Sequence, residues 1–299
     1  MNRESLKCYR KAGEIAEEVL NEGLKKIKPG VKVLEVAEFI EKSIIEKGGK
    51  PAFPCNISIN EVAAHYSPSA WDERVFKEGD VVKLDIGVHI DGYIADTAKT
   101  KELGSCYKKL IKASEEALKN AIEIIKPGVK TNEVGEVIET TIKEYGFLPI
   151  SNLTGHQLMR FTLHAGTIIP NIKTNYGKEF KEGDVFALEP FATTGCGRVV
   201  DDVNVLIFRY IQDKPMRVRE ARIILQYVKE NFKSLPFAER WIAHLTSRLK
   251  LSQALRLLVH SKALHAYHVL REKDKGIVSQ AEHTVIVTKE GCEVTTGEI

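Results

Sequence analysis

The stretch KLDIGVHIDGYIADTAKT, residues 83–100, indicates the fold more strongly than any other part of the chain. Residues 81–90 (VVKLDIGVHI) are mostly apolar and β-branched, and a second run of the same kind follows Asp91-Gly92. Asp-Gly is a preferred two-residue turn between antiparallel strands. We therefore predict a β-hairpin in which Gly87 lies opposite Asp96.

This register places Asp85 diagonally across from Asp96 on one face of the hairpin, at roughly 7–8 Å. The apolar neighbours imply a buried sheet, where two unpaired carboxylates would be costly or would take up protons. A divalent cation between them removes that cost. Two exposed aspartates on an edge hairpin are the alternative for this segment alone. We interpret Asp91 as a turn residue and His89 as an exposed residue at the hairpin tip.

Length and composition are those of a globular protein with one large domain, or one domain plus an insertion: 299 residues, 43% hydrophobic and 28% charged. The N-terminal segment has no apolar core of a signal peptide, and no run approaches the ~18 apolar residues of a membrane span. The five cysteines are scattered and form no C-x-x-C pair. We therefore expect a cytoplasmic protein without disulfides or membrane contact.

An internal repeat organises the chain. Residues 28–51 and 126–149 are identical at 14 of 24 positions, and KEGDVV at 77–82 resembles KEGDVF at 181–186. Each unit predicts an amphipathic helix after Pro-Gly, followed by a turn into a strand. The repeat predicts an α+β fold with two similar halves related by a pseudo-twofold axis. Clefts between such halves are common ligand sites.

Residues 209–271 interrupt this pattern, which leaves 1–208 and 272–299 as the main domain. We predict helices at 218–232, 235–249 and 251–267, with strand structure returning only at Val278, in a small insertion like a winged helix. Residues 209–275 hold 15 Lys and Arg against 6 Asp and Glu. Such a shape binds nucleic acid in some proteins, but an insertion in an enzyme is more often a wall of the substrate pocket.

Three further segments offer metal-ligand residues beside predicted strands. NLTGHQLMRFTLHAG (152–166) contains His156 and His164, VFALEPFAT (185–193) contains Glu189, and SQAEHTVIV (279–287) contains Glu282. A single buried glutamate is more often in a salt bridge, and a single histidine is more often structural. The two aspartates and these two glutamates make four carboxylates. With one imidazole, their charge balances that of two divalent cations. Ligands of this kind accept Mn, Fe, Co or Zn.

At these positions the chain resembles the methionine aminopeptidases of type II over essentially its full length. The matching motifs are the aspartate hairpin, Gly-His at 155–156, Leu-Glu-Pro at 188–190 and Ala-Glu-His-Thr at 281–284. AFPCNISINEVAAHY at 52–66 and His-Ala-Gly at 164–166 match the segments that carry substrate-contacting histidines. The insertion distinguishes type II from type I. The resemblance implies the pita-bread fold and release of N-terminal methionine before a small, uncharged residue.

The resemblance also implies the roles of the site residues. Asp85 would hold one metal ion, His156 and Glu189 the other, and Asp96 and Glu282 would bridge both. A hydroxide bridging the ions would attack the scissile carbonyl. Glu189 would also transfer the proton, and His65 and His164 would contact the substrate, His164 at the developing oxyanion and His65 near the scissile nitrogen.

The other histidines are interpreted as structural. By strand alternation His283 faces away from Glu282, and four more are predicted on helices of the insertion: His244, His260, His265 and His268. Two alternatives stay open. His260 and His268 could form a surface metal pair, or His268 could line the methionine pocket. Pocket candidates at the entry loop, equally suited to core packing, are Phe53, Ile57 and Tyr66.

Two alternative functions are weighed against this one. Prolidases and aminopeptidase P share the fold and ligands but have a long domain before the first aspartate, and only 84 residues precede Asp85 here. Noncatalytic relatives that bind nucleic acid or ribosomes lack the ligands, and this chain retains all five. The expected partners are N-termini of nascent polypeptides, with a transient ribosome contact through the basic insertion as a second expectation. We expect a monomer.

Overall fold

The computed structural model describes residues 1–298. Its helices are α1 (Arg3–Lys26), α2 (Val33–Glu46), α3 (Lys108–Ile124), α4 (Thr131–Glu144), α5 (Arg219–Phe232), α6 (Arg248–His260) and a 3-10 helix (Glu239–Leu245). Its strands in the first 157 residues are β1 (Lys50–Ile59), β2 (Val62–Ala64), β3 (Val81–Ile90), β4 (Tyr93–Glu102), β5 (Leu148–Pro149) and β6 (Thr154–Gln157). The later strands are β7 (Ile168–Pro170), β8 (Val185–Leu188), β9 (Phe191–Thr193), β10 (Val199–Tyr210), β11 (Pro236–Ala238), β12 (Leu264–Glu272), β13 (Val278–Gln280), β14 (His283–Val287) and β15 (Cys292–Val294).

The predicted hairpin is confirmed as β3 and β4. Gly87 lies opposite Asp96, as the turn at Asp91-Gly92 requires. Asp91 and Gly92 have φ of 50° and 86°, the left-handed backbone of a tight hairpin turn. Alternating side chains therefore put Asp85 and Asp96 on the same face of the hairpin.

The prediction of an exposed His89 is wrong. His89 is only 8% exposed, its Nδ1 accepts a hydrogen bond of 3.0 Å from the Gly92 amide, and its ring packs edge-on against Phe161. Burial lowers the pKa of this imidazole to about 4. The hairpin tip is covered by the loop after β6, a contact that the local pattern does not reveal.

The two halves predicted from the repeat are present. α2 and α4 occupy equivalent stretches of the repeat, each after a Pro-Gly segment. In the first half, α1 and α2 pack on the sheet β1-β3-β4 around one apolar cluster. In the second half, α3 and α4 pack around another cluster that includes side chains of β8 and β14. The α+β fold with paired halves is thereby confirmed.

The halves join where β4 meets β14. Ala98 and Glu282 exchange two backbone hydrogen bonds, of 2.9 and 3.3 Å. The Thr284 hydroxyl accepts from the amide of Asp96 at 2.8 Å and donates to its carbonyl at 2.9 Å. Two segments nearly two hundred residues apart are therefore held in register at the centre of the molecule. This junction positions the acidic side chains of both halves.

Much of the segment 209–271 packs around one apolar cluster, which includes Phe237, Ile224 and Leu258 and extends to Phe208 on β10. The strand order β11-β10-β12-β2 connects this segment to the residues before His65. α5 agrees with the predicted helix at 218–232. The other two helix predictions are wrong over part of their length.

The segment 235–249 begins as β11, which pairs with β10, and continues as the 3-10 helix. The segment 251–267 is helical only to His260, and β12 begins at Leu264. Lys262 adopts φ of 61°, and the amides of Lys262 and Ala263 bond back to Val259 and Leu258 at 3.0 Å each. This closes α6 in the manner of a Schellman motif.

Strand structure therefore returns well before Val278, and His265 and His268 lie on β12 rather than on a helix. The alternative of a surface metal pair required His260 and His268 to lie two turns apart on one helix. It is wrong, because His260 ends α6 and His268 lies on β12. Among the described residues, none of the helices combines the length and the apolar character needed to cross a membrane.

Candidate metal centre and active-site cleft

The five residues predicted as metal ligands line one cleft. Asp85 comes from β3, Asp96 from β4 and His156 from β6, while Glu189 follows β8 and Glu282 precedes β14. Strands from both halves therefore contribute. The same cleft is lined by His65 and His164, as predicted, and by apolar groups of both the body and residues 209–271.

The side chains approach within the range that a metal ion spans. Ligand atoms of Asp96, His156 and Glu282 all lie within 4.8 Å of one another. The Nε2 atom of His156 is 3.6 Å from Oδ2 of Asp96 and 3.5 Å from Oε1 of Glu189. These three groups are close, yet too far apart for strong hydrogen bonds.

Burial of so many carboxylates is electrostatically unfavourable. It raises the pKa of Asp85 to about 7 and raises the pKa of Asp96, Glu189 and Glu282 well above their usual range. Mutual repulsion adds to burial, since Asp96 lies near Asp85 and Glu189. Burial also lowers the pKa of His156 well below its usual value, so the imidazole is neutral. A neutral imidazole is the form that binds a metal.

The residues fit divalent cations. The Oδ1 atoms of Asp85 and Asp96 are buried without a hydrogen-bond partner. Among the described residues that line the cleft there is no lysine or arginine to neutralise the acids. The Gln280 side chain is a neutral donor, with contacts of 3.5 Å to Glu189 and 3.4 Å to Glu282, and it also hydrogen-bonds Asp85. Uncompensated oxygen ligands of this kind suit cations that prefer carboxylate and imidazole.

His65 has an unusual backbone and a defined orientation. Its φ is 64°, the left-handed region, which is uncommon for a residue with a side chain. Its Nδ1 lies 3.1 Å from the carbonyl oxygen of His268. A carbonyl only accepts, so Nδ1 carries the proton and Nε2 retains its lone pair. Burial lowers the pKa of His65, which favours this neutral state.

His164 lies at the mouth of the same cleft, with its ring centroid 4.4 Å from that of His156. Burial lowers the pKa of the His164 imidazole, and electrostatic repulsion from His65 lowers it further. The residue is solvent-exposed, however, so contact with water weakens that effect relative to His156.

Tyr267 is a functional candidate that the sequence reasoning missed. Its ring centroid is 5.5 Å from His65 and 6.2 Å from His164, and it lines the cleft from β12. Because residues 251–267 were predicted as a helix, the position of Tyr267 at the cleft was not apparent. LHAYHVLRE over Leu264–Glu272 does not alternate cleanly between apolar and polar residues, so the local pattern gives little signal for this strand.

The pocket candidates divide into two groups. Phe53 lines the cleft, whereas Ile57 and Tyr66 are buried in the apolar core of the first half. His268 supports His65 through its backbone carbonyl and is not among the cleft-lining residues. His283 faces away from the cleft and contacts Thr296, as strand alternation predicted.

The fold and the acidic cleft are those of a metal-dependent hydrolase. The chain belongs to metallopeptidase family M24, whose sequence pattern matches residues 7–289. Among similar proteins, a methionine aminopeptidase of Thermococcus onnurineus is 53% identical over 287 residues, with 96% of this chain and 97% of that protein covered. A methionine aminopeptidase of Thermococcus kodakarensis is 52% identical with the same coverage. The resemblance to methionine aminopeptidases is thereby confirmed.

Solved structures agree on the fold. A structure described as a thermophilic Arx1 matches with a TM-score of 0.87 at 19% identity, covering all of this chain and 92% of that one. The methionine aminopeptidase of Thermotoga maritima matches with a TM-score of 0.74 at 24% identity, covering all of this chain and 98% of that one. At such identities the likeness concerns the fold alone.

Proposed function

We propose that the protein removes the N-terminal methionine from polypeptides whose second residue is small and uncharged. The observation that carries the proposal is the convergence of four carboxylates, two buried and two half-buried, and one neutral imidazole in a cleft that also has apolar walls. The relatives named methionine aminopeptidase support the substrate. The metallopeptidase family supports the reaction class.

Two divalent cations, Co, Mn, Fe or Zn, are the proposed cofactors. In this proposal Asp85 would serve one ion, His156 and Glu189 would serve the other, and Asp96 and Glu282 would be shared by both. Asp96 on β4 and Glu282, just before β14, lie beside the backbone hydrogen bonds that join the two halves, which supports their shared role. Bound cations in such a site supply a water of lowered pKa as the nucleophile.

The protein's own groups then bind the substrate and move protons. Glu189 is the proposed proton carrier between the attacking water and the leaving amine. The His164 ring, at the open side of the cleft, would donate to the developing oxyanion. The free Nε2 of His65 would accept a hydrogen bond from the scissile N–H.

The methionine side chain would occupy the apolar part of the cleft. Its walls are formed by Phe53, Leu163, Ile207, Pro236 and Tyr267. Two of these residues, Pro236 on β11 and Tyr267 on β12, come from the segment 209–271 that separates type II from type I relatives. A flexible thioether suits a pocket of mixed aromatic and aliphatic walls.

The decisive assay is release of methionine from Met-Gly and Met-Ala peptides by metal-loaded protein, with and without excess chelator. We expect turnover that chelator abolishes, and undiminished turnover in chelator would contradict the metal mechanism.

Asp96→Ala is expected to lose both metals and activity while the circular dichroism spectrum is retained. Asp91→Asn, at the exposed turn, is the matched control and should retain both. Metal analysis of protein purified without added metal identifies the native ion.

The proposed partners are nascent polypeptides in the cytoplasm, met by a monomeric enzyme. Transient contact with the ribosome is the finer proposal, supported only by the excess of Lys and Arg over residues 209–275. If the charge drives it, co-sedimentation with ribosomes at low salt should fall when these residues are neutralised and should weaken steeply as salt rises. Unchanged co-sedimentation of the neutralised variant would remove the proposal. Size-exclusion chromatography with light scattering tests the monomer.

A further inference from the structure

A buried ion pair lies beneath the substrate side of the cleft, outside the metal centre. Glu41 on α2 and Arg240 on the 3-10 helix contact each other through Oε1 and Nη2, with side chains 11% and 4% exposed. The second carboxylate oxygen of Glu41 accepts from Nε1 of Trp241 at 2.8 Å. The pair therefore connects the catalytic body to the 209–271 segment across 199 residues of sequence.

The pair supports an irregular part of β1. The pairing of β1 with β3 shifts register between Phe53 and Asn56, and both of these residues line the cleft. At Cys55, inside this irregular stretch, the amide donates to Oε1 of Glu41 at 3.0 Å. The Cys55 carbonyl accepts from the Ser67 hydroxyl at 2.8 Å. Side chains thus replace the strand hydrogen bonds that the bulge cannot make.

The pair also supports the segment that carries His65. The Nη1 atom of Arg240 donates to the Ser67 hydroxyl at 2.6 Å and to the Pro68 carbonyl at 3.0 Å. Ser67 is fully buried and follows His65 by two residues. Because His65 has a left-handed backbone, its surroundings must hold it in place.

We propose that Glu41 and Arg240 are positioning residues that set the placement of Phe53, Asn56 and His65 for substrate. This inference rests on the proposed function and adds that the 209–271 segment shapes the substrate wall through Arg240. One guanidinium reaches Glu41, Ser67 and Pro68 at once, which the single ammonium of a lysine cannot do. Charge compensation and placement can therefore be separated by substitution.

The test compares R240K, R240M and E41Q with wild type at a temperature where each is folded, with bound metal measured in every sample. R240K keeps the charge beside Glu41 and should recover most of the unfolding midpoint lost in R240M. Both Arg240 variants should nevertheless lower kcat/KM for Met-Ala peptides about 10- to 100-fold at full metal content, because misplacement by about 1 Å is that costly. E41Q, which removes the charge that Arg240 faces, should lower kcat/KM in the same direction.

R10M is the matched control, since Arg10 makes a two-pronged pair with Glu293 on the exposed surface. Its kcat/KM should equal that of wild type. Unchanged kcat/KM per folded, metal-loaded molecule in R240K and E41Q would overturn the positioning role, even if stability fell. If R240M does not fold, those two variants carry the test. Absence of methionine release by metal-loaded wild type would instead contradict the proposed function itself.

Discussion

The charge at Asp85 should destabilise the metal-free protein, and Asp85→Asn tests this. Burial is the main reason why the pKa of this carboxyl rises to about 7 from an ordinary value of 3.8. A pKa that is higher in the folded state than in the unfolded state means that folding favours the protonated acid. The free energy of unfolding of the metal-free protein therefore falls as pH rises from about 4 to about 7 and stays low above that.

The magnitude follows from the shift. Each pKa unit corresponds to 1.36 kcal/mol, so a rise of about three units costs about 4 kcal/mol once the acid is ionised. Asparagine keeps the shape without the charge. In excess chelator at pH 8, D85N should be more stable than wild type by up to about 4 kcal/mol, and near pH 4 this advantage should almost vanish. The neighbouring acids share in the relief because their titrations are coupled.

Urea unfolding followed by circular dichroism, at both pH values and with or without added Mn²⁺, measures these differences. Added metal should stabilise wild type much more than D85N. D91N is the control, because Asp91 is exposed and asparagine tolerates its positive φ. Its stability should stay within about 0.5 kcal/mol of wild type. A D85N variant that is less stable than wild type in chelator at pH 8, or a gain that does not depend on pH, would refute the reasoning.

Three further substitutions probe the walls and the core. A Cβ at Gly87 would lie 2.2 Å from a ring carbon of Phe53, so Gly87→Ala should displace that ring, cost about 1–3 kcal/mol in urea unfolding and raise KM for Met-Ala peptides. Tyr267→Ala removes a cleft wall and should lower kcat/KM about tenfold or more, measured at full metal content; an unchanged value would exclude Tyr267 from the pocket. Phe237 is fully buried, so Phe237→Ala should cost about 3–5 kcal/mol, whereas Tyr176→Ala, at a residue 91% exposed, should be neutral in the same denaturation assay.

Part of the geometry of the candidate metal site could be predicted from the sequence because the signals for it are local. A two-residue turn determines which residues of a hairpin face each other, and the opposition of Gly87 and Asp96 followed from it. The placement of Glu282 and His283 on opposite sides followed from strand alternation in the same way. The repeat located α2 and α4, because a duplicated pattern of apolar residues carries the same helical period twice.

The errors arose where the partner of a segment decides its structure. LHAYHVLRE is a strand because β10 and β2 lie on its two sides, although the segment before it in sequence is the helix α6. His89 is buried because Phe161 packs against it from a distant loop. Local sequence patterns do not reveal such contacts. Because the strand was not predicted, the position of Tyr267 in the cleft was not predicted either.

The sequence by itself determined the hairpin register and the two similar halves, and it supplied the residue types of the proposed ligands. Turn chemistry and side-chain periodicity act over a few residues, so these features depend little on the rest of the chain. Only the tertiary structure decided that Asp96 and Glu282 share one cleft and that Glu41 and Arg240 form a buried pair beneath it. Both depend on contacts across more than 180 residues, which form when the halves and the insertion pack together.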